Sequence, residues 1–474
     1  MRRYRSVSPT AVRTTTALLL LLATIAGTAT APRTQTATAL ANQDSGLGRI
    51  NHIVVIYLEN HSFDNLFGTL PGADGLANAT DEQRIQLDKQ GNPFQVLPPP
   101  LAPLQGGVRP PDPRFPADLP NAPLKLNDFA SAQEPLGDIT HLFYREQYQI
   151  NGGKMNGFAA WSDGAGMAMG YWETDSIPLV GLAREYTVAD RFFHAAFGGS
   201  YLNHLWLVCA CTPTWPGAPV DMVAKPFPND PDHLTDLAVT PDGFVVNTAF
   251  TVNTPHPATT AADHLQPNID LATIGERLSD AGVSWAWYSG GWNDAIAGKP
   301  DPLFQFHHQP FAYFTPYADG TQARADHLKD ESDFLTALAD GSLPAVSFVK
   351  PLGPENEHPR YAAVTRSEEH ARDLVRKIQE SPVWSDTVVI ITYDEHGGFW
   401  DHVPPPIVDR WGPGLRVPTL VISPFAKRGF VDHTVYDTTS ILKLIEDRWG
   451  LAPLGTRDAA AANMLNAFDF SLAP

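Results

Sequence analysis

Acidic and amide side chains follow two apolar runs that are typical of buried strands. Glu59 and Asn60 come directly after HIVVIYL, and Asp394 and Glu395 come directly after TVVIITY. Ligands of open α/β sheets collect at the carboxyl ends of strands, so we expect the two sets to face one another across a crevice. Their oxygens suit a divalent cation such as Ca²⁺, Mg²⁺ or Mn²⁺. The alternative is that Glu59 or Asp394 merely caps a following helix.

A serine with two preceding glycines is the candidate nucleophile. Gly198 and Gly199 precede Ser200, and the residues after it have helical apolar spacing. Two glycines let the backbone approach a ligand closely, and the first amides of a helix favour a phosphate-like anion. The alternative is that Ser200 is an ordinary helix N-cap. Because there is neither a Gly-x-Ser-x-Gly elbow nor a P-loop lysine, acyl transfer and nucleotide binding are not favoured.

Three histidines are candidates for contacts with a phosphoryl group. His141 lies in DITHLFY, His308 in FQFHHQP, and His358 in ENEHP just beyond an apolar run. Histidine can bind phosphoryl oxygens or protonate a leaving alkoxide. A single histidine in such a position is more commonly structural than catalytic. We interpret the remaining candidates as structural or solvated residues: His52, His61, His194, His327 and His433.

Short Val- and Ile-rich runs alternate with helical patterns, which indicates an α/β fold with a mainly parallel central sheet that helices cover on both faces. The predicted strands are residues 52–58, 283–289, 345–350, 387–393 and 417–423. Helical spacing appears at residues 269–281, 370–379 and 439–449. The Pro-rich segment 93–124 is predicted to be a long surface loop, and DGFVVNTAFTVNT a short hairpin.

Composition limits the classes of partner. The chain has 474 residues, 43% of them hydrophobic and 18% charged, as in globular proteins. Its net charge of −19 argues against a nucleic-acid surface. An anionic substrate therefore needs a local cluster of cations. The two cysteines, Cys209 and Cys211, are too close in sequence for an ordinary bridge and are predicted to be buried thiols.

The N-terminal residues have the order of a secretory signal. Arginines precede the apolar run ALLLLLATIA, which is too short to span a bilayer comfortably. We predict a signal peptide over residues 1–41, with either Sec or twin-arginine export, and a secreted or periplasmic product without an integral membrane segment. Residues 42–474 are predicted to form a single domain, with residues 213–267 as a candidate cap insertion.

Five ordered motifs resemble a known family. LENHSFDNLFG, GGSYLNH, FHHQPF, ENEHP and TYDEHGGFWDHVPPP together resemble the bacterial phosphoesterases that include AcpA-type acid phosphatases and phospholipases C. The resemblance runs from Asn51 to Trp449 and implies an alkaline-phosphatase-like core. One departure is His61, where the commoner pattern has arginine, so a fixed cation is lost there.

The resemblance implies a role for each matching residue. One divalent metal ion would be held by Glu59, Asn60, Asp394, Glu395 and Ser200, and Ser200 would also be the nucleophile. The phosphoryl group would be bound by Asn60, His141, His308 and His358, the three histidines being catalytic as well. Asp401 and His402 are interpreted as a pair that orients the acidic ligands or stabilises their loop.

The expected function is that of a secreted acid phosphatase that hydrolyses phosphomonoesters through a phosphoserine intermediate. Two features favour the acid-phosphatase branch of the family: the nucleophile is a serine, and the chain ends soon after the last predicted helix. Imidazole charges near pH 6.5, so activity is expected to be best in mildly acidic solution. The alternatives are a phospholipase C-like phosphodiesterase and a non-catalytic secreted protein that binds a divalent cation.

Overall fold

An eight-stranded sheet forms the centre of the computed structural model, which describes residues 46–103, 105 and 107–472. Its strands in chain order are β1 His52–Leu58, β2 Thr187–Ala189, β3 Trp285–Ser289, β4 Leu328–Lys329, β5 Val346–Lys350, β6 Thr387–Tyr393, β7 Thr419–Ile422 and β8 Phe430–Asp432. Their spatial order is β4-β3-β5-β1-β6-β7-β2-β8. Only β7 runs antiparallel to its neighbours. The mainly parallel α/β sheet is therefore confirmed.

The two strands that precede the acidic residues are central neighbours. β1 pairs in parallel with β6 from His52 opposite Thr387 to Leu58 opposite Tyr393, and with β5 on its other side. Every residue of β6 is buried, as are all but the first of β1. Strands covered on both faces read as continuous apolar runs, which is why these two were recognisable in the sequence.

Helices pack around this sheet. They are α1 Phe63–Phe67, α2 Asp81–Arg84, α3 Phe143–Ile150, α4 Phe158–Trp161, α5 Val180–Glu185, α6 Ser200–Cys209, α7 Ile274–Asp280, α8 Trp292–Ile296, α9 Gln322–His327, α10 Glu331–Asp340, α11 Val364–Glu380, α12 Thr438–Trp449 and α13 Thr456–Ala460. The predicted helices 370–379 and 439–449 lie within α11 and α12, whereas the predicted range 269–281 is longer than α7, which it contains. No helix in the described part of the chain is long and apolar enough to span a membrane.

Short elements account for most of the differences from the predicted fold. The five predicted strands are present, whereas β2, β4 and β8 have only two or three residues each and leave no clear periodicity. The predicted hairpin over DGFVVNTAFTVNT is wrong, because Phe250–Thr251 pairs in parallel with Leu265–Gln266. Within 93–123, the described residues form isolated bridges and turns, as expected for the Pro-rich loop. The predicted signal peptide lies outside the described residues.

The prediction of buried thiols is also wrong, because Cys209 and Cys211 form a disulfide. Cys209 is the last residue of α6, and Ala210 after it has a left-handed backbone with φ of 47°. This turn brings the two Cα atoms to 5.1 Å, within the range that a disulfide spans. The sequence spacing alone does not reveal that turn.

Candidate active site

The two acidic strand ends lie side by side. The Asn60 N–H donates to Asp394 Oδ1 over 3.2 Å, and the Asp394 N–H donates to the Leu58 carbonyl over 3.1 Å. Asn60 has φ of 71°, a left-handed conformation that asparagine adopts more readily than most residues. Gly397 fits beside it because a Cβ there would lie 2.0 Å from the Asn60 carbonyl oxygen. The two sets are therefore adjacent, but they lie side by side on neighbouring strands and not across a crevice.

Ser200 is the first residue of α6 and does not cap it. The N-cap is Gly199, so the alternative interpretation of Ser200 as an N-cap is wrong. The Ser200 hydroxyl lies 3.5 Å from Asn60 Oδ1 and opens into a cavity. Gly198, with φ of 92°, makes the turn before it; a Cβ there would lie 2.6 Å from the backbone nitrogen of Phe143. The double glycine thus brings the serine to the acidic strand ends.

Most of the predicted site residues line a cavity of about 210 Å³. Those that line it are Glu59, His141, Ser200, His308 and His358. Asn60, Asp394 and Glu395 are fully buried behind this surface. Asn247 and Thr248, from the candidate cap segment, also line the cavity, as does the exposed side chain of Arg360. The cavity is large enough for a phosphoryl group and part of its substituent.

The three predicted histidines of this cavity have different neighbours. His141 Nε2 lies 3.3 Å from Asn60 Nδ2 and 3.7 Å from Glu395 Oε1. The ring of His358 packs edge-on against that of His141, with 5.8 Å between the ring centroids. His308 contacts Glu59 Oε1 through Nε2. His141 and His308 thus connect the cavity to the residues at the acidic strand ends.

Burial changes the protonation of these groups. Burial raises the pKa of Asp394 to about 6, and burial together with Asp394 raises the pKa of Glu395 well above its ordinary value. Burial lowers the pKa of His308 to about 4 and also lowers the pKa of His358. The expectation that these two histidines charge near pH 6.5 is therefore wrong. The mildly acidic optimum of activity stays a prediction.

The residues present fit a divalent ion. Asp394 Oδ2 and Glu395 Oε1 are buried and have no hydrogen-bond partner among the described residues. A buried carboxylate oxygen without a partner is unfavourable, and a cation would satisfy both oxygens. Carboxylates, an amide oxygen and a hydroxyl form the oxygen-rich donor set that Ca²⁺, Mg²⁺ and Mn²⁺ prefer.

Two buried residues of the site were missed by the sequence analysis. Lys350 Nζ lies 2.9 Å from Glu59 Oε1, and both side chains are fully buried. His204 Nδ1 lies 2.7 Å from the Ser200 carbonyl oxygen and 3.8 Å from Asp394 Oδ2. His204 is four residues after Ser200 on the same helix face, which is a signal that the sequence contains. Lysine at the end of a buried strand is a second such signal.

Asp401 and His402 lie in a separate buried network. Arg416 donates to Asp401 Oδ1 over 2.9 Å and to Asp64 Oδ1 over 3.1 Å, and His402 Nδ1 lies 2.6 Å from Asp64 Oδ2. These contacts tie the segment after Asp394 to α1 and agree with a loop-stabilising role. His61 Nδ1 lies 2.5 Å from Asn65 Oδ1, and His61 does not line the cavity, so position 61 supplies no phosphate contact there.

Comparison with known proteins identifies the class. The Phosphoesterase family model matches residues 50–452, so the chain belongs to the phosphoesterase family, and its class of activity is phosphoric ester hydrolysis. The recognised resemblance is thereby confirmed.

Individual relatives are similar over most of the chain. Phospholipase C B of Mycobacterium tuberculosis is 28% identical, over 90% of this chain and 78% of that protein. The non-hemolytic phospholipase C of Pseudomonas aeruginosa is 24% identical, over 89% of this chain and 57% of that protein. Among solved structures, an alkaline phosphatase superfamily protein from Vibrio parahaemolyticus is 13% identical and covers 63% of this chain and 66% of its own, with a TM-score of 0.34.

Proposed function

We propose that this protein hydrolyses phosphoric esters with Ser200 as the nucleophile. The observation that carries the proposal is the Ser200 hydroxyl, 3.5 Å from Asn60 Oδ1, in a cavity backed by the unpartnered oxygens of Asp394 and Glu395. A hydroxyl at a helix start, next to a set of oxygen ligands, is the arrangement that nucleophilic phosphoryl transfer requires.

The reaction takes two steps. Ser200 Oγ forms a bond to phosphorus as the bond to the ester oxygen breaks, and water then cleaves the phosphoserine and restores the hydroxyl. A divalent ion held by Glu59, Asn60, Ser200, Asp394 and Glu395 would lower the pKa of the hydroxyl and offset the charge on phosphorus. The Asn60 amide orients the hydroxyl, and the first amides of α6 point towards the phosphoryl oxygens.

The histidines of the cavity position the phosphoryl group. His141, His308 and His358 can donate hydrogen bonds to its oxygens as neutral rings, because donation needs only one ring N–H. The exposed guanidinium of Arg360, at the cavity wall, supplies a permanent positive charge in a strongly acidic protein. We assign Arg360 to recognition of the substrate's phosphate or its substituent.

Two substrate classes follow from different observations. Similarity to phospholipases C over about nine tenths of the chain favours phospholipids, with release of the phosphorylated headgroup. The small cavity and the serine nucleophile favour phosphomonoesters. We place phospholipids first, because the likeness to these relatives extends over the whole cavity-forming part of the chain.

The experiment compares hydrolysis of phosphatidylcholine with hydrolysis of p-nitrophenyl phosphate by the purified protein. A Ser200→Ala variant should lose turnover of both by about a thousandfold or more and keep the wild-type melting temperature. Ser471→Ala, at an exposed position, is the control and should leave the rate unchanged. Wild-type turnover by Ser200→Ala would contradict the proposal, and a folded wild type without turnover would favour the cation-binding alternative.

The proposal also includes export of the protein and a cap formed by residues 213–267. The signal-like residues 1–41 support a secreted or periplasmic enzyme, and sequencing the N-terminus of the exported protein tests cleavage before Asn42. Deletion of part of 213–267 should change substrate preference, because Asn247 and Thr248 line the cavity.

A further inference from the structure

A second group of metal-ligating side chains lies behind the proposed catalytic residues. Glu146 of α3, His194 before the nucleophile turn and His396 after the acidic pair are all fully buried. One ligand atom from each lies within 4.8 Å of the others. Glu146 Oε1 is 3.0 Å from His194 Nε2 and 3.8 Å from His396 Nδ1. None of these three residues lines the cavity or takes part in the proposed reaction.

The hydrogen bonds of His194 leave its Nε2 free to bind an ion. Nδ1 lies 2.8 Å from the Ala196 carbonyl oxygen and 3.3 Å from Asn203 Oδ1, and both are acceptors. Nδ1 therefore carries a proton, and Nε2 faces the Glu146 carboxylate. Either a proton or a metal ion must lie between Nε2 and that carboxylate. A histidine that donates Nδ1–H to a carbonyl and offers Nε2 is a common arrangement of metal-bound histidine.

The ring nitrogens of His396 also lack hydrogen-bond partners among the described residues. Both of its ring nitrogens are buried and have no hydrogen-bond partner in the described part of the chain. Its ring lies nearly parallel to that of His194, with 5.4 Å between the centroids. Buried polar atoms without partners are unfavourable, and a bound ion would satisfy the nitrogen that faces Glu146.

We propose that Glu146, His194 and His396 form a zinc site distinct from the proposed catalytic ion site. Two imidazoles and a carboxylate are the ligands that Zn²⁺ accepts, at about 2.0–2.2 Å from each ligand atom. The distances of 3.0 and 3.8 Å from Glu146 Oε1 to the two imidazole nitrogens allow that geometry with small adjustments. Glu395 Oε2, 3.5 Å from His396 Nδ1, is the nearest candidate for a fourth ligand.

The site would act on the reaction through the backbone. Glu146 Oε2 accepts the Gly198 N–H over 2.5 Å, and Oε1 accepts the Leu415 N–H over 3.0 Å. Gly198 is two residues before Ser200, so an ion on Glu146 would fix the nucleophile turn relative to the acidic pair. The proposed site does not depend on hydrolysis by Ser200, and its occupancy can be measured without an activity assay.

The test measures zinc bound to the full chain after saturation and gel filtration, by elemental analysis. The wild type should retain two equivalents of zinc, and the Glu146→Gln variant should retain one. The Asp394→Asn variant, in which only the catalytic ion site is weakened, should also retain one. Glu368→Gln changes another fully buried glutamate on a helix and should retain two. A wild type that retains no zinc, or a Glu146→Gln variant that retains as much zinc as the wild type, would overturn the proposal in favour of a proton-bridged Glu146–His194 pair.

X-ray absorption on zinc-loaded wild type gives a result even if Glu146→Gln does not fold. The proposed catalytic ligands include no histidine, so imidazole scattering from bound zinc requires a histidine-containing site such as the buried one. We expect an average of about one imidazole per zinc when both sites are filled. A first shell without imidazole would show that the three residues do not bind the ion.

Discussion

Replacing Glu368 with glutamine tests how burial controls the charge of a carboxyl group close to the site. Glu368 is fully buried in α11, and its Oε2 accepts the Leu179 N–H over 2.7 Å. It interacts with Glu357, which directly precedes His358 and has a left-handed backbone with φ of 81°. Burial raises the pKa of Glu368 from 4.5 to about 8 and raises that of Glu357 well above its ordinary value.

The sign and size of the effect follow from linkage. Below pH 4.5 the carboxyl group of Glu368 is protonated in the folded and unfolded chains, so its contribution to stability is fully present. Between pH 4.5 and about 8 the unfolded chain releases a proton that the folded chain keeps, so stability falls as pH rises. At about 1.4 kcal/mol per pH unit, the loss by pH 7 is about 3 kcal/mol. Glutamine keeps the acceptor for Leu179 and removes this loss.

The assay is urea unfolding at pH 5 and at pH 7.5. The Glu368→Gln variant should gain about 3 kcal/mol over wild type between these two values, with most of the gain at the higher pH. Glu369→Gln, the exposed neighbour on the same helix, should not change the pH dependence. If Glu368→Gln and wild type differ by the same free energy at both pH values, Glu368 is charged in the folded protein and the reasoning is wrong.

Three further outcomes test the site. Lys350→Met should lower the free energy of unfolding by about 3–5 kcal/mol, because it leaves the buried Glu59 carboxylate without its ammonium partner; an unchanged urea midpoint would contradict this. Arg360→Ala should raise KM more than it lowers kcat, and an unchanged KM would remove Arg360 from recognition. Chelation should abolish turnover and Mg²⁺, Ca²⁺ or Mn²⁺ should restore it, whereas full activity in protein that elemental analysis shows to be metal-free would exclude the ion.

The sequence revealed those parts of the site whose position depends on local pattern. Glu59 and Asp394 follow apolar runs long enough to be recognised, and Ser200 follows two glycines. Lys350 at a buried strand end is visible in the sequence, but its contact with Glu59 requires the pairing between β1 and β5, which no local pattern reports. The Cys209–Cys211 disulfide was missed for a related reason, since it depends on the backbone conformation of Ala210.

Strand register explains why the acidic residues meet at all. β1 and β6 each have seven residues and pair in parallel along their whole length, so Leu58 and Tyr393 end at the same level. Glu59 and Asp394 therefore leave the sheet as neighbours. A slip of one residue would turn the side chains of a strand to the opposite face and offset the two strand ends. The apolar pairs between β1 and β6 oppose such a slip, so the packing of the core also determines where an ion can bind.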